Sequence, residues 1–169
     1  MKKTILLLLS IICLYVLFSL LGSDEEDIYQ QVTNYSANNN SEQSASITAE
    51  QLIVTGKDGT ESSYQLPDDQ FFVSIAPYIN ETHPCEIHSL TGCQGELPQQ
   101  RFKVSVITTE GEVIIDEELQ SEANGFIDLW LPRDETFTIE INRDDLTASE
   151  TISSFKDDFT CITTMQLTN

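Results

Sequence analysis

The chain has 169 residues, 28 of them acidic and eight basic, for a formal net charge of −20 and a pI of about 4.1. That length allows one ordinary domain with appendages. All 28 acids but only six basic residues follow residue 23, so this part carries −22; nucleic acid and anionic lipid head groups, which need a basic face, are argued against as partners.

Lys2 and Lys3 precede an apolar run from Ile5 to Leu21, broken only by Ser10, Cys13, Tyr15 and Ser19. A charged start and a hydrophobic stretch form an export pattern, and roughly 18 residues just suffice to cross a bilayer as a helix. Leu21-Gly22-Ser23 lacks the small residue at −3 that a cleavage site needs. The expectation for residues 1–23 is therefore an uncleaved signal anchor, with a cleaved signal peptide as the alternative. Either places the remainder outside the cytoplasm, and the anchor adds contact with the membrane. Cys13 follows Ser-Ile-Ile, has no small residue before it, and reads as an apolar residue of the span rather than a lipidation site.

Residues 24–50 carry five acids before Glu50, no basic residue and few large apolar ones. Such a segment buries too little surface to offset its ordering entropy and reads as an acidic polar tether. The spacing of Ile28, Tyr29, Val32 and Tyr35 allows a short helix within it. From Gln51 onward the chain reads as β, a domain over 51–169 composed of an N-terminal hairpin (51–67) and a Cys/His-bearing sandwich (68–169). Gln51–Thr55 and Ser62–Leu66 flank Asp58-Gly59, a hairpin-turn signal. Gln70–Ala76 is a strand closed by Pro77. Phe102, Val104 and Val106 alternate with polar residues, Glu110-Gly111 turns the chain into Glu112–Asp116, and Asn124-Gly125 introduces Phe126–Leu131. Phe137, Ile139 and Ile141 alternate again, and Cys161, Thr163, Met165 and Leu167 share one face of a last strand. Seven or eight short strands with turns between them predict an all-β fold, an antiparallel β-sandwich preceded by the N-terminal hydrophobic helix. Val104, Ile127, Leu129, Phe137 and Ile139 are its expected buried positions. Tyr78, Trp130, Met165 and the phenylalanines read as packing.

The stretch from Pro77 to Gln100 has no strand pattern and contains two cysteines, two histidines and several apolar residues, so it predicts a long ordered loop. Within Thr82–Leu97, THPCEIHSLTGCQGEL, lie His83, Cys85, His88 and Cys93. The remaining thiol after the N-terminal run is Cys161, in FTCITTMQL. Cys85 and Cys93 are eight apart, which excludes the C-x-x-C spacing of zinc ribbons and thioredoxin-like centres. The two loop cysteines can bond to each other, or Cys161 can join one of them; three exported cysteines leave one thiol unpaired under any scheme. The plainer reading is a disulfide-stapled loop with two surface histidines. Thiolate and imidazole are the donors that reduced copper prefers, and zinc accepts the same atoms. The expected metal ligands are Cys85, Cys93, Cys161 and His88. His83, held extended by Pro84, orients the loop or joins the site. Met165 lies four residues beyond Cys161, about 13 Å along a strand, too far to share one ion. Glu86 and Glu96 read as solvated surface. No catalytic residue is indicated.

The run APY-x-N-x-THPC-x-x-HSLT-x-CQGEL, Ala76 to Leu97, with the cysteine of TCITTMQL, closely resembles the CueP family of copper-binding proteins of the bacterial cell envelope. The resemblance spans Gln51 to Leu167, about two thirds of the chain. It implies an extracytoplasmic protein that binds copper and helps the cell manage it, with the family's thiols at Cys85, Cys93 and Cys161 and its histidines at His83 and His88. It also implies association as a homodimer. The N-terminus departs from the family pattern, with no good cleavage site and a short acidic region before the β domain. The reading is thus a protein that sequesters copper or delivers it to a copper-receiving extracytoplasmic protein, without turnover. The alternative is a thiol-dependent redox protein that reduces Cu(II) to Cu(I) or exchanges disulfides.

Overall fold

The computed structural model describes residues 24–37 and 42–169. The hydrophobic helix expected over 1–23 lies outside the described residues, and among these no helix is long and apolar enough to cross a membrane. The chain divides into two compact units, Met1–Gln31 and Val32–Asn169. What is described of the first is the start of helix α1 (Asp24–Ala37). The second holds the end of α1 and the strands.

Three sheets make up this unit. The first has the order β3-β2-β1-β5, from β1 (Ser44–Ile47), β2 (Gln51–Thr55), β3 (Glu61–Gln65) and β5 (His88–Ser89). The second has the order β10-β9-β6-β7, from β6 (Arg101–Thr108), β7 (Val113–Gln120), β9 (Thr136–Arg143) and β10 (Leu146–Ser153). The third has the order β11-β4-β8, from β4 (Gln70–Ile75), β8 (Ile127–Pro132) and β11 (Cys161–Ile162). All pairs are antiparallel except β11 with β4.

The period-two alternation decides which faces meet. Phe71, Val73 and Ile75 of β4 and Ile127, Leu129 and Leu131 of β8 form one apolar face; it packs on Phe102, Val104 and Val106 of β6 and Phe137, Ile139 and Ile141 of β9. This is the core of the expected sandwich, and the five positions singled out from the sequence are all buried in it. Met165 is buried in the same cluster. The opposite face of β4 and β8 carries Phe72, Ser74, Asp128 and Trp130, with Cys161 beside them on β11. That second face is where the Cys/His loop sits.

Several elements differ from expectation. Ser44–Ile47, within the stretch read as a tether, forms β1, because Ala45 and Ile47 are buried and their backbone pairs with β2 on one side and β5 on the other. The helical spacing of Ile28 to Tyr35 corresponds to α1. The two-residue β5 lies inside the supposedly strandless loop and exists only through its pairing with β1. β10 has no run of large apolar residues; it buries Ala148 and Ile152 and was not evident from its pattern. The last strand is shorter than expected, regular only at Cys161–Ile162, although Thr163, Met165 and Leu167 continue to alternate inward. Phe155 and Phe159 are exposed, so the reading of every phenylalanine as packing fails at these two, which lie in the turn between β10 and β11.

One backbone contact fixes the loop against the sheet. A Cβ on Gly95 would lie 2.7 Å from the Gly125 carbonyl oxygen, and one on Gly125 would lie 2.6 Å from that of Gly95. Gly125 also has φ of 84°, a conformation that favours glycine. Gly111 has φ of 89° but open space around it. Gly111→Ala should therefore cost only the backbone term, about 1 kcal/mol, whereas Gly125→Ala should cost at least about 2 kcal/mol. Urea midpoints check this; equal losses at both positions would remove the close-approach argument.

Candidate metal centre

The loop after Pro77 is held by a series of backbone and side-chain hydrogen bonds. Tyr78 forms an isolated parallel bridge with Gln166, through Tyr78 N–H to the Met165 carbonyl (3.1 Å) and Leu167 N–H to the Tyr78 carbonyl (2.7 Å). The Glu96 carboxylate accepts the N–H groups of Ile79 and Asn80 and the Asn80 side-chain amide, closing the loop's two ends on each other. Desolvation raises its pKa, but these hydrogen bonds prevail and hold it below the usual carboxylate range. The sequence reading of Glu96 as mere solvated surface is thus incomplete. Thr82 donates its hydroxyl to the Thr163 carbonyl at 2.6 Å. The Ser89 carbonyl accepts the N–H groups of Gly92 and Cys93, a tight turn that brings Cys93 back over the loop. The Thr91 hydroxyl accepts the Ala45 N–H, tying that turn to β1.

Thr160 joins the loop to the sheets. Its hydroxyl donates to the Ile47 carbonyl (2.6 Å) and accepts the His88 N–H (3.1 Å). The Glu86 carbonyl accepts the N–H groups of both Thr160 and Cys161, at 3.0 and 3.2 Å. The Thr160 carbonyl accepts the Ser74 N–H of β4 at 2.9 Å. Cys85, His88 and Cys161 are thereby set around one backbone junction. Nothing in the sequence singled out Thr160; a threonine before a cysteine is an ordinary strand residue.

The thiols converge. Cys85 and Cys161, 76 residues apart in sequence, form a disulfide with 5.6 Å between Cα atoms. Among the pairings the sequence left open, the structure takes this one and leaves Cys93 free. The Cys93 sulfur is 3.5 Å from that of Cys85, and His88 Nδ1 is 3.4 Å from that of Cys161. Donor atoms of Cys85, His88, Cys93 and Cys161 all lie within 4.8 Å of one another. His83 is not in this group; its ring lies edge-on to that of Phe126, with 6.4 Å between centroids. His88 and Cys161 are buried, while Cys85 and Cys93 are half-buried and form the accessible side. Ala76 and Phe126 supply the apolar wall behind the sulfurs.

His88 is 0% exposed, its ring tilted by 51° against that of Phe126 at 4.5 Å between centroids, and its Nε2 is buried without a hydrogen-bond partner. Burial, with a smaller contribution from His83, lowers its pKa to about 3, so the ring is neutral and retains a lone pair. On the same face, the Asp128 carboxylate accepts hydroxyls from Ser74 and from Ser36 of α1. Burial raises its pKa against those two hydrogen bonds. Cys161, Ser74 and Asp128 form one row across β11, β4 and β8.

The four donors suit a soft or borderline ion. Tetrahedral bonds of about 2.3 Å put ligand atoms about 3.8 Å apart, close to the Cys85–Cys93 and His88–Cys161 spacings of 3.5 and 3.4 Å. A neutral, buried, under-partnered imidazole and a half-buried free thiol are a donor set, and reduction of the disulfide adds two thiolates.

Comparisons with known proteins agree with this chemistry. The profile of the family described as periplasmic copper-binding protein CueP matches residues 27–166. The chain belongs to the CueP family. It is also similar to the crystal structure of S.CueP, with 37% identity, a TM-score of 0.80, and coverage of 92% of this chain and 96% of that one. No curated protein matches it significantly. CueP membership implies an extracytoplasmic location and makes copper the ion that the Cys/His cluster is to be considered for.

Two outcomes test the site's architecture. Thr160→Val leaves a buried N–H and a buried carbonyl unpaired and should cost about 2 kcal/mol, with Thr160→Ser largely neutral. Equal denaturation midpoints for wild type and Thr160→Val would refute the junction. For His88, the folded pKa of about 3 lies below the ordinary 6.5, so the unfolded chain takes up a proton that the folded chain refuses. Stability of the metal-free protein should therefore fall as pH drops below 6.5, by about 2 kcal/mol near pH 5 from this group. His88→Gln should lack that component; parallel stability–pH curves for the two proteins would disprove the assignment.

Proposed function

We propose that this CueP-family chain binds copper outside the cytoplasm at Cys85, Cys93, Cys161 and His88, and holds it for sequestration or for delivery to a receiving protein. The observation that carries this is the convergence of four soft or borderline donors within 4.8 Å. In the disulfide form Cys93 is the one free thiol of the cluster. Reduction supplies the thiolates of Cys85 and Cys161 and turns a one-thiolate corner into a three-thiolate site suited to Cu(I). Zinc fits the same atoms, and the family membership favours copper. His83 serves the loop's orientation next to Pro84 and Phe126. The membrane attachment through residues 1–23 and a homodimer remain expectations of the sequence reading, and both are compatible with such a role.

A redox reading is supported by one specific contact. The Cys93 sulfur stands 3.5 Å from Cys85, a short step from thiolate attack that would form Cys85–Cys93 and release Cys161. The reduced dithiol carries two electrons, so its conversion to the disulfide would reduce two Cu(II) ions to Cu(I). Thiol counting separates the readings. Of Cys85, Cys93 and Cys161, counted apart from Cys13, a fully reduced protein that only binds copper keeps three thiols after Cu(I) loading and removal, whereas Cu(II) reduction leaves one.

The test of the binding site is a Cu(I) competition titration on folded, reduced variants. Cys93→Ser and Cys161→Ser should lose more than the ~10–100-fold that removal of an outer-sphere partner costs, because a neutral hydroxyl is a hard donor. His83→Ala should change affinity less than about tenfold, below that outer-sphere range, and His88→Ala should fall between. Unchanged affinity in both serine variants would overturn the assignment; a loss of stability of about 2–5 kcal/mol without loss of copper would return the disulfide to a structural role.

A further inference from the structure

Two of the large exposed apolar residues, Ile87 (58% exposed) and Phe159 (53%), line the same groove. Its volume is about 220 Å³, and Thr48, Ala49 and Thr160 form its floor. The groove is lined by residues next to two of the thiols, Glu86 after Cys85 and Thr160 before Cys161. Ile87 follows Cys85 by two residues and Phe159 precedes Cys161 by two, and the floor is the backbone junction in which the Glu86 carbonyl receives the N–H groups of Thr160 and Cys161. The rim is acidic: Glu86, Asp157 and Asp158 stand around it, and its single cation, Lys156, is already paired with Glu50 at 3.0 Å.

We propose that this groove is the docking surface for a protein partner that presents an apolar side chain among basic ones, and that it seats that partner beside Cys85 and Cys93. The proposal rests on the copper-handling reading above and gives it a place of contact. Copper passes between two ligand sets only when they approach within bonding reach, and the buried Cys161 and His88 leave the Cys85–Cys93 side as the approach. A contact beside that side would hold the acceptor's ligands in register. The charge selects the partner. An acidic rim on a chain of net charge −20 attracts a basic surface over a distance and disfavours contact with the same acidic groove of a second copy. An apolar centre within a charged rim is the usual anatomy of a contact that both steers and holds.

The test uses the full chain, metal-free, with Cys85–Cys161 bonded. The probe is an amidated peptide, Lys-Lys-Phe-Lys-Lys, with a Phe-to-Ser version and a Lys-to-Glu version as controls, followed by amide chemical-shift changes. Saturable binding is expected around Ile87, Phe159 and Asp157, weakened about tenfold or more by Ile87→Asp or Phe159→Asp and by either control sequence. Val113→Asp, at the exposed start of β7, should leave binding unchanged. Absence of saturable binding, or binding indifferent to both groove variants, would overturn the proposal. Self-association of the chain that Ile87→Asp abolishes would assign the groove to a second copy and overturn it too. Cu(I) titration of Phe159→Asp should match wild type. Failure of the wild type itself to bind Cu(I) would sink the copper reading while leaving the peptide result standing.

Discussion

The Thr160 hydroxyl locks together two paired strands at their register position Ile47–His88, donating to Ile47 of β1 and accepting from His88 of β5. Its backbone does the same in the perpendicular sense, giving its N–H to Glu86 and its carbonyl to Ser74 of β4. These four bonds fix backbone groups at Glu86, His88 and Thr160, next to or at Cys85, His88 and Cys161, and so help place every donor of the cluster except Cys93. A buried junction of this kind is costly to break because each partner left behind is a desolvated polar group. It is therefore a rigid mount. The rigidity matters for a site whose bonds to an ion tolerate only tenths of an ångström.

The mount also explains how one set of side chains suits two chemical states. The same Cα separation that permits the Cys85–Cys161 bond keeps the two sulfurs near each other when the bond is cut. Cys93, carried on a separate turn pinned through Ser89 and Thr91, adds a third sulfur that does not depend on that bond. His88, neutral because it is buried, offers its lone pair without first shedding a proton. The difference between a disulfide and a three-thiolate site is then two electrons and a small movement of side chains, with the backbone common to both.

Much of this was legible in the chain. Alternation at Phe102–Val106, Ile127–Leu131 and Phe137–Ile141 marks strands with one buried face, and the positions it selects are the core. The crowding of Cys and His residues between His83 and Cys93, with Cys161 as the last thiol, marks the cluster. What the chain did not display are features made by pairing rather than by pattern. β1 is a polar four-residue segment whose strand character comes from neighbours on both sides, and β5 is two residues long. The choice of Cys85 as Cys161's partner depends on which loop sulfur the Glu86–Thr160 junction brings nearer, and neither spacing nor residue type encodes that. Phe155 and Phe159 have the composition of core residues and the location of a surface turn. Local sequence cannot distinguish these, because exposure is a property of what lies opposite.

The close approach of Gly95 and Gly125 has a consequence for how this chain can change. Each lacks room for a side chain because of the other's backbone, and the Gly95 N–H is bonded to the Asn124 carbonyl at the same point. The first methyl group added at either position has to part the loop from the sheet. Once parted, the gap accepts a second methyl at lower cost, so the two substitutions are strongly non-additive. The pair behaves as a one-way threshold in sequence space: a lineage holding both glycines meets the full penalty at its first step, and one that has crossed feels little pressure to return unless the position of Cys93 is still under selection.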